Sequence, residues 1–148
     1  MGGEKYKNAE GYADPTAGAA MSAAMKEFRA KSRRRFADRN RRRVYVASRL
    51  SGGVKTNLRA ARRYCRMVVD GGDMPIAPHL LYPQFLADGI REERELGMAF
   101  GLALLALCDE VRCFGEISDG MRREIAEAER LNKRVRYFDA NGIEKPKR

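Results

Sequence analysis

Short apolar runs alternate with longer amphipathic segments over residues 44–138, and this alternation constrains the fold more than any other feature. The apolar runs have the length of buried strands. The segments between them repeat apolar residues at intervals of three and four, which predicts helices with one buried face. The predicted strands are 44–48, 74–77, 110–114 and 135–138, and the predicted helices are about 54–70, 92–108 and 118–131.

Strands that alternate with helices through short connections predict βαβ units and a parallel sheet covered on both faces. We therefore predict an α/β, flavodoxin/Rossmann-like three-layer sandwich with four or five parallel strands, the first four in the order 2-1-3-4. In such a sheet, ligands bind in the crevice at the carboxyl ends of the strands, where the strand order reverses. That crevice would lie between strands 1 and 3, beside residues 48–53 and 118–124.

The positive charge of the chain is concentrated before this α/β region. Residues 1–43 contain 12 Lys and Arg against 5 Asp and Glu, whereas the other 105 residues contain 18 against 15. We predict a basic, partly helical N-terminal extension at 1–43, with its helix from about Thr16 to Arg35, an α/β domain at 44–140 and a tail at 141–148. The arginine-rich part, residues 26–43, is either a solvated segment or a surface that binds nucleic acid through phosphate contacts.

Several classes of protein are not supported by the sequence. The longest apolar segment, Gly97 to Cys108, is too short to span a membrane, and the amino terminus lacks the pattern of a secretory signal. One histidine and three cysteines without a CxxC pair predict neither a zinc site nor a disulfide framework. We expect a cytoplasmic protein with buried thiols, no metal site and no cofactor.

The helix predicted at 92–108 is apolar nearly all round. We expect one face to cover the sheet and the other to meet a second copy of the chain, which predicts a homo-oligomer, at least a dimer. The residues expected to point inward are Leu96, Phe100, Ala103, Leu104 and Leu107.

One carboxylate stands where a globular protein would normally place an apolar residue. Met121, Ile125 and Ala128 share one face of the helix after strand 3, and Glu124 falls within or beside that face. Burying a carboxylate is costly unless it is paired or reaches a cleft. Glu124 is therefore either a surface residue paired with an arginine or a functional group in the crevice.

Two further segments could contribute to the crevice. The turn with Gly52 and Gly53 leads from strand 1 into a helix, an arrangement that lets the backbone approach a phosphate. The segment Pro78–Phe85 is unusually apolar and aromatic for a connection, which predicts a lid or a pocket wall. It contains His79, which is either a partly buried structural imidazole or a member of the site.

Four short motifs occur in a fixed order along the α/β region. They are Val44–Ser48, Cys108–Val111, Ser118-Asp119-Gly120 followed by Glu124-Ile125 and Ala128, and Lys133–Val135. In this order the motifs resemble the nucleoside 2-deoxyribosyltransferase-like superfamily and in particular its small bacterial and phage branch. The resemblance covers about residues 44–138, and the leader at 7–17 resembles the opening of short proteins carried by phages and mobile elements.

The resemblance implies that Glu124 attacks the anomeric carbon of a nucleoside or nucleotide, that a glycosyl-enzyme forms, and that the sugar passes to another base or to water. It also implies a catalytic role for Asp119, at a position where relatives carry a sugar-binding aspartate. Asp88 and His79 are the candidates for protonating the departing base. The implied substrate-binding residues are Ser48, Arg49, Gly52, Gly53, His79, Ser118, Gly120 and Met121.

The implied function is that of a nucleotide or deoxynucleoside N-glycosidase or deoxyribosyltransferase acting in a homo-oligomer. Two alternatives remain open at this stage. One is a non-catalytic protein of a phage or mobile element that binds a nucleotide derivative, with a role against host defence. The other is a nucleic-acid-associated adaptor that acts through residues 26–43.

Overall fold

The computed structural model describes residues 7, 9–12 and 14–146. The contacts divide the chain into two units, one ending at Asn40 and the other beginning at Arg41. The first unit contains helix α1, Pro15–Arg39, whose first turn is capped by the Asp14 carboxylate accepting from the Thr16 and Ala17 N–H groups. The helix continues four residues beyond its predicted end at Arg35, to Arg39.

The second unit is built on a five-stranded sheet with the order β2-β1-β3-β4-β5. The first four strands are parallel, and β5 runs antiparallel to β4. In the register of the two central strands, Tyr45 lies opposite Val111 and Ser48 opposite Phe114. The strands are β1 Arg43–Ser48, β2 Met74–Ile76, β3 Glu110–Phe114, β4 Arg134–Phe138 and β5 Glu144–Lys145.

Alternate residues of β1 enter two separate cores, which places helices on both faces of the sheet. Val44 and Val46 pack with Tyr64 and Val68 of α2, whereas Tyr45 and Ala47 pack with residues of α3 and α4. The helices are α2 Val54–Asp70, α3 Arg91–Ala106 and α4 Asp119–Arg130, with short 3₁₀ turns at Pro78–Leu80 and Tyr82–Gln84. The unit therefore has a Rossmann-like α/β fold.

The α/β class, the mostly parallel sheet and the order of the first four strands are confirmed. The prediction that a fifth strand would also be parallel is wrong. Only a few residues separate β4 from β5, and a connection this short permits antiparallel pairing alone. The Asp139 carboxylate accepts from the N–H groups of Asn141 and Ile143, and Gly142 adopts a positive φ of 81° in the same turn.

The face of α3 that was expected to point inward is largely exposed. Leu96 is 44% exposed, Phe100 38% and Leu107 59%, and Ala103 lies on the same side. Gly101 and Leu105 are buried instead, and of the predicted set only Leu104 packs against the core. The spacing of apolar residues does not distinguish the two apolar faces of α3. The face with Gly101 is the buried one, because a glycine allows the helix to approach the sheet closely.

No helix among the described residues, α3 included, combines the length and apolarity needed to cross a bilayer.

Candidate functional site

A cavity of about 240 Å³ lies at the carboxyl edge of the sheet. This volume is slightly below the usual range for small-molecule sites, about 300–1,000 Å³. Its walls come from Tyr45 of β1, Leu50 and Ser51 after β1, the segment 78–88, α3, and the start of α4. The segment after β1 and the helix after β3 meet there, as expected for a site where the strand order reverses.

Glu124 lines this cavity from the second turn of α4, and its side chain is almost fully enclosed. The residue is 3% exposed. The Tyr45 hydroxyl donates a hydrogen bond to Glu124 Oε1 at 2.7 Å. The other carboxylate oxygen, Oε2, is the only buried side-chain nitrogen or oxygen without a hydrogen-bond partner in the described part of the chain. One oxygen is thus held by a hydrogen bond, while the other is buried without a partner in a residue that lines the cavity.

Burial changes the acidity of both members of this pair. It raises the pKa of Glu124 to about 7, although the hydrogen bond from Tyr45 opposes the rise. Burial, together with the neighbouring Glu124 carboxylate, also raises the pKa of Tyr45 well above its ordinary value. Tyr45 therefore remains a neutral donor, and Glu124 changes between its acid and carboxylate forms near neutral pH.

Tyr45 reaches Glu124 because α3 has no side chain at the point of closest approach. A Cβ placed on Gly101 would lie 3.2 Å from the Tyr45 hydroxyl oxygen, closer than such contacts normally are. Gly101 is buried and also lines the cavity. The position of the Tyr45 hydroxyl thus depends on contacts with both Gly101 and Glu124.

The second buried carboxylate of the unit, Glu110, shows how a structural glutamate is accommodated. It forms ion pairs with Arg42, Arg112 and Arg136, at 2.5, 2.5 and 3.2 Å. Burial alone would raise the pKa of Glu110, but these arginines outweigh it and hold the pKa below its ordinary value. Glu124 has a raised pKa instead, because its burial is opposed only by the hydrogen bond from Tyr45 and by no arginine among the described residues.

The arginines next to Glu124 in sequence bind other carboxylates. Arg122 Nη1 lies 2.6 Å from Asp119 Oδ1, and Arg123 Nη1 lies 3.4 Å from Glu95 Oε1. Both arginines occupy the exposed side of α4. The alternative of a surface glutamate paired with an arginine is therefore wrong.

Four other predicted site residues line the same cavity, namely Asp88, His79, Ser118 and Gly120. Burial lowers the pKa of His79, and a hydrogen bond with the Ser48 backbone and the charge of Asp88 only partly oppose this effect. The imidazole is therefore neutral at pH 7. Ser118 caps the N-terminus of α4, where its hydroxyl accepts a hydrogen bond from the Met121 N–H at 3.3 Å.

The remaining predicted site residues do not line the cavity. Ser48 is buried at the end of β1, and Met121 belongs to the core beneath α4. The Arg49 side chain folds back on its own loop, donating to the Ser51 carbonyl at 3.0 Å.

The other three residues are exposed. Asp119 is paired with Arg122 at the surface. Gly52 and Gly53 are exposed with positive φ angles of 86° and 139°. The roles of these six residues stay predictions.

Sequence reasoning missed Tyr45 and Gly101, although both shape the environment of the glutamate. Tyr45 stands in an apolar strand, and its pattern is that of a core residue. One signal was available: a hydroxyl in a fully buried strand needs a polar partner. Residues of α3 that also line the cavity, such as Glu93, Arg94 and Met98, carried no distinguishing pattern.

The family described as "Domain of unknown function (DUF7768)" matches residues 42–138, which is most of the α/β unit, and the chain belongs to this family. No curated protein matches the chain.

Two solved structures show the same fold. One is a 2-deoxyribosyltransferase from the psychrotolerant bacterium Bacillus psychrosaccharolyticus, with 20% identity and a TM-score of 0.51. The match covers 66% of this chain and 72% of that enzyme. The other is a 2-deoxyribosyltransferase from Leishmania mexicana, with 15% identity and a TM-score of 0.50 over 66% of this chain and 64% of that protein. The α/β unit therefore has a nucleoside deoxyribosyltransferase-like fold.

Proposed function

We propose that this DUF7768 protein cleaves the N-glycosidic bond of a nucleoside or nucleotide, with Glu124 as the nucleophile. The observation that carries the proposal is the difference between the surroundings of the two carboxylate oxygens of Glu124. Oε1 accepts a hydrogen bond from Tyr45, Oε2 is buried without a hydrogen-bond partner, and the residue lines a cavity. A carboxylate left without a cation in an enclosed site is costly for stability, and a function as nucleophile accounts for it. The likeness of the fold to 2-deoxyribosyltransferases supports the same activity.

In the proposed first step, Glu124 Oε2 attacks the anomeric carbon as the bond from that carbon to the base breaks. The bonding electrons leave with the base, and an ester joins the sugar to Glu124. In the second step another base or water attacks the same carbon, the ester breaks, and the carboxylate is restored. Two displacements retain the configuration at the anomeric carbon. Transfer to a base makes the protein a deoxyribosyltransferase, and transfer to water makes it an N-glycosidase.

The departing base needs a proton, and two groups of the cavity wall are candidates to supply it. His79 is neutral at pH 7 because its pKa is lowered, so it is better suited to hydrogen-bond the base than to protonate it. Asp88, exposed at the mouth, is the remaining candidate. We assign to Asp88 the relay of a proton from solvent to the departing base, directly or through water.

The sugar and any phosphate would be held by the loop after β1 and the start of α4. Leu50 and Ser51 of the loop, and Ser118 and Gly120 at the start of α4, border the cavity. The other residues proposed for binding belong to the same two segments, and they are Ser48, Arg49, Gly52, Gly53, Asp119 and Met121.

A second copy of the chain would cover the exposed apolar stripe of α3, which is defined as Leu96, Phe100, Ala103 and the C-cap residue Leu107.

The proposal is tested by incubating the protein with the deoxynucleosides and their 5′-monophosphates and measuring free base by chromatography. Wild type should release base from at least one substrate, and Glu124→Gln should release none while still binding that substrate. Glu129→Gln is the matched control, because Glu129 is exposed on the same helix. Binding without base release by the wild type would refute the enzymatic proposal and favour a non-catalytic nucleotide-binding protein.

A further inference from the structure

Helix α1 carries a dense array of cations that the proposed glycosidic chemistry does not use. Pro15–Arg39 has no buried residue. It contains seven basic residues against two acidic ones, Glu27 and Asp38, and Glu27 pairs with Lys31 along the helix at 2.7 Å. The basic residues are Lys26, Arg29, Lys31, Arg33, Arg34, Arg35 and Arg39.

The arginines of α1 surround the helix instead of lying along one face. At about 100° per residue, Arg29 and Arg33 share one side, Arg35 and Arg39 share a second, and Arg34 occupies a third, each about 120° from the next. All five side chains are exposed. A cationic surface of this form fits between anionic walls better than it fits a flat anionic surface.

The distribution of apolar residues leads to the same conclusion. A helix that lies on a membrane separates its cations from its apolar face. In α1, the exposed Phe28 shares its side with Arg35 and Arg39, so the two kinds of residue are not separated. Met21, Met25 and Phe28 share one exposed side of the first half of α1, but Arg35 and Arg39 occupy that side beyond Phe28. The apolar side therefore does not continue as a seam for a partner helix along the cationic segment.

The dimensions of the cationic segment match a DNA groove. Residues 26–39 span about 20 Å at about 1.5 Å per residue. Over that length duplex DNA presents about 12 phosphates, at one charge per about 1.7 Å. The major groove of B-DNA admits an α-helix and has phosphates along both edges, whereas the major groove of an RNA duplex is too deep and narrow.

We infer that α1 binds double-stranded DNA by lying in its major groove and contacting phosphates on both sides, without dependence on base sequence. The arginines that follow α1 belong to the other unit and are engaged there. Arg42 pairs with Glu110, and Arg43 binds Asp109 through its backbone N–H and its side chain. The interaction therefore depends on α1 and is independent of the proposed base release.

The test measures binding of the full chain to a fluorescent mixed-sequence DNA duplex by anisotropy, at KCl concentrations from about 50 to 200 mM. The triple variant Arg33→Gln, Arg34→Gln, Arg35→Gln removes one cation from each side of α1. Each lost phosphate contact should reduce the slope of log K against log salt by about 1, so the triple variant should lose about 3. Its affinity should fall by more than about tenfold.

The matched control replaces three exposed arginines of α2 in the same way and removes the same total charge. Arg59→Gln, Arg62→Gln, Arg63→Gln should bind DNA with a slope close to that of wild type. Circular dichroism reports whether α1 remains helical. If the first triple variant loses helix, the pair Arg29→Gln, Arg39→Gln provides the test and should reduce the slope by about 2.

Parallel titrations use an RNA duplex of the same sequence and vesicles of phosphatidylglycerol and phosphatidylcholine. Tighter binding to DNA than to either alternative supports the inference. The inference is overturned if wild type fails to bind the DNA duplex at about 50 mM KCl. It is also overturned if the α2 variant loses as much affinity as the α1 variant, or if RNA or vesicles bind at least as tightly as DNA.

Discussion

Replacing Glu124 by glutamine should make the stability of the protein less dependent on pH, although it removes the proposed nucleophile. The ordinary pKa of the group is 4.5, and burial raises it to about 7 in the folded protein. Between these values the folded chain holds a proton that the unfolded chain has released. The wild type therefore loses stability as the pH rises through this window, and the loss is complete above about pH 7.

The size of this effect follows from the shift in pKa. Each unit corresponds to about 1.4 kcal/mol, so a rise from 4.5 to about 7 corresponds to about 3 kcal/mol. Glutamine cannot ionise and keeps an oxygen that can accept from Tyr45. Compared with wild type, Glu124→Gln should therefore gain about 3 kcal/mol in free energy of unfolding between about pH 4 and pH 8. Any constant cost of the buried amide nitrogen does not alter this dependence on pH.

Urea unfolding of the two proteins at unit intervals of pH measures the difference directly. Glu129→Gln provides the control, because its side chain is exposed on the same helix and its curve should remain parallel to that of wild type. A difference between Glu124→Gln and wild type that is constant with pH would refute the reasoning, because it would mean that the carboxylate ionises as easily in the folded chain as in the unfolded one.

Three further predictions concern the surroundings of the carboxylate and the surface of α3. Tyr45→Phe removes the hydrogen bond that lowers the pKa of Glu124, so the rate of base release should rise with pH around a higher midpoint than in wild type. Tyr64→Phe is the control, and it should leave this midpoint unchanged because Tyr64 lies on the other face of the sheet. Gly101→Ala should displace the Tyr45 hydroxyl and lower kcat for base release by about tenfold or more. Gly97→Ala should have a smaller effect, because a Cβ at Gly97 meets only a leucine methyl group at 3.6 Å, and equal losses of kcat would contradict this packing argument. Leu96→Glu should dissociate the proposed homo-oligomer in sedimentation, and a wild type that is already monomeric at about 50 μM would refute that assembly.

Much of the fold could be predicted because its signals are local. The spacing of apolar residues predicts both the strand at 110–114 and the helix near Ser118. The order of the first four strands follows from the rules for βαβ units. The antiparallel β5 has only two residues and no apolar signal, so nothing in its sequence distinguished it from a tail.

The candidate site was only partly predictable, because its decisive features depend on tertiary contacts. Glu124 was recognisable as a carboxylate within an apolar face. Its partner Tyr45 lies 79 positions away in sequence, and Gly101 matters only because its missing side chain leaves room for the tyrosine hydroxyl. The buried face of α3 was wrongly predicted for a related reason, since both faces are apolar and close approach to the sheet decides between them.

The most direct test of the central proposal is to look for the glycosyl-enzyme. Wild type mixed with a deoxynucleoside or its 5′-monophosphate, quenched in acid and digested, should yield a peptide containing Glu124 that is heavier by one deoxyribosyl group, or one deoxyribosyl phosphate. The same peptide from Glu124→Gln should have no added mass. Base release by Glu124→Gln at the wild-type rate, or an adduct on any residue other than Glu124, would contradict the proposal.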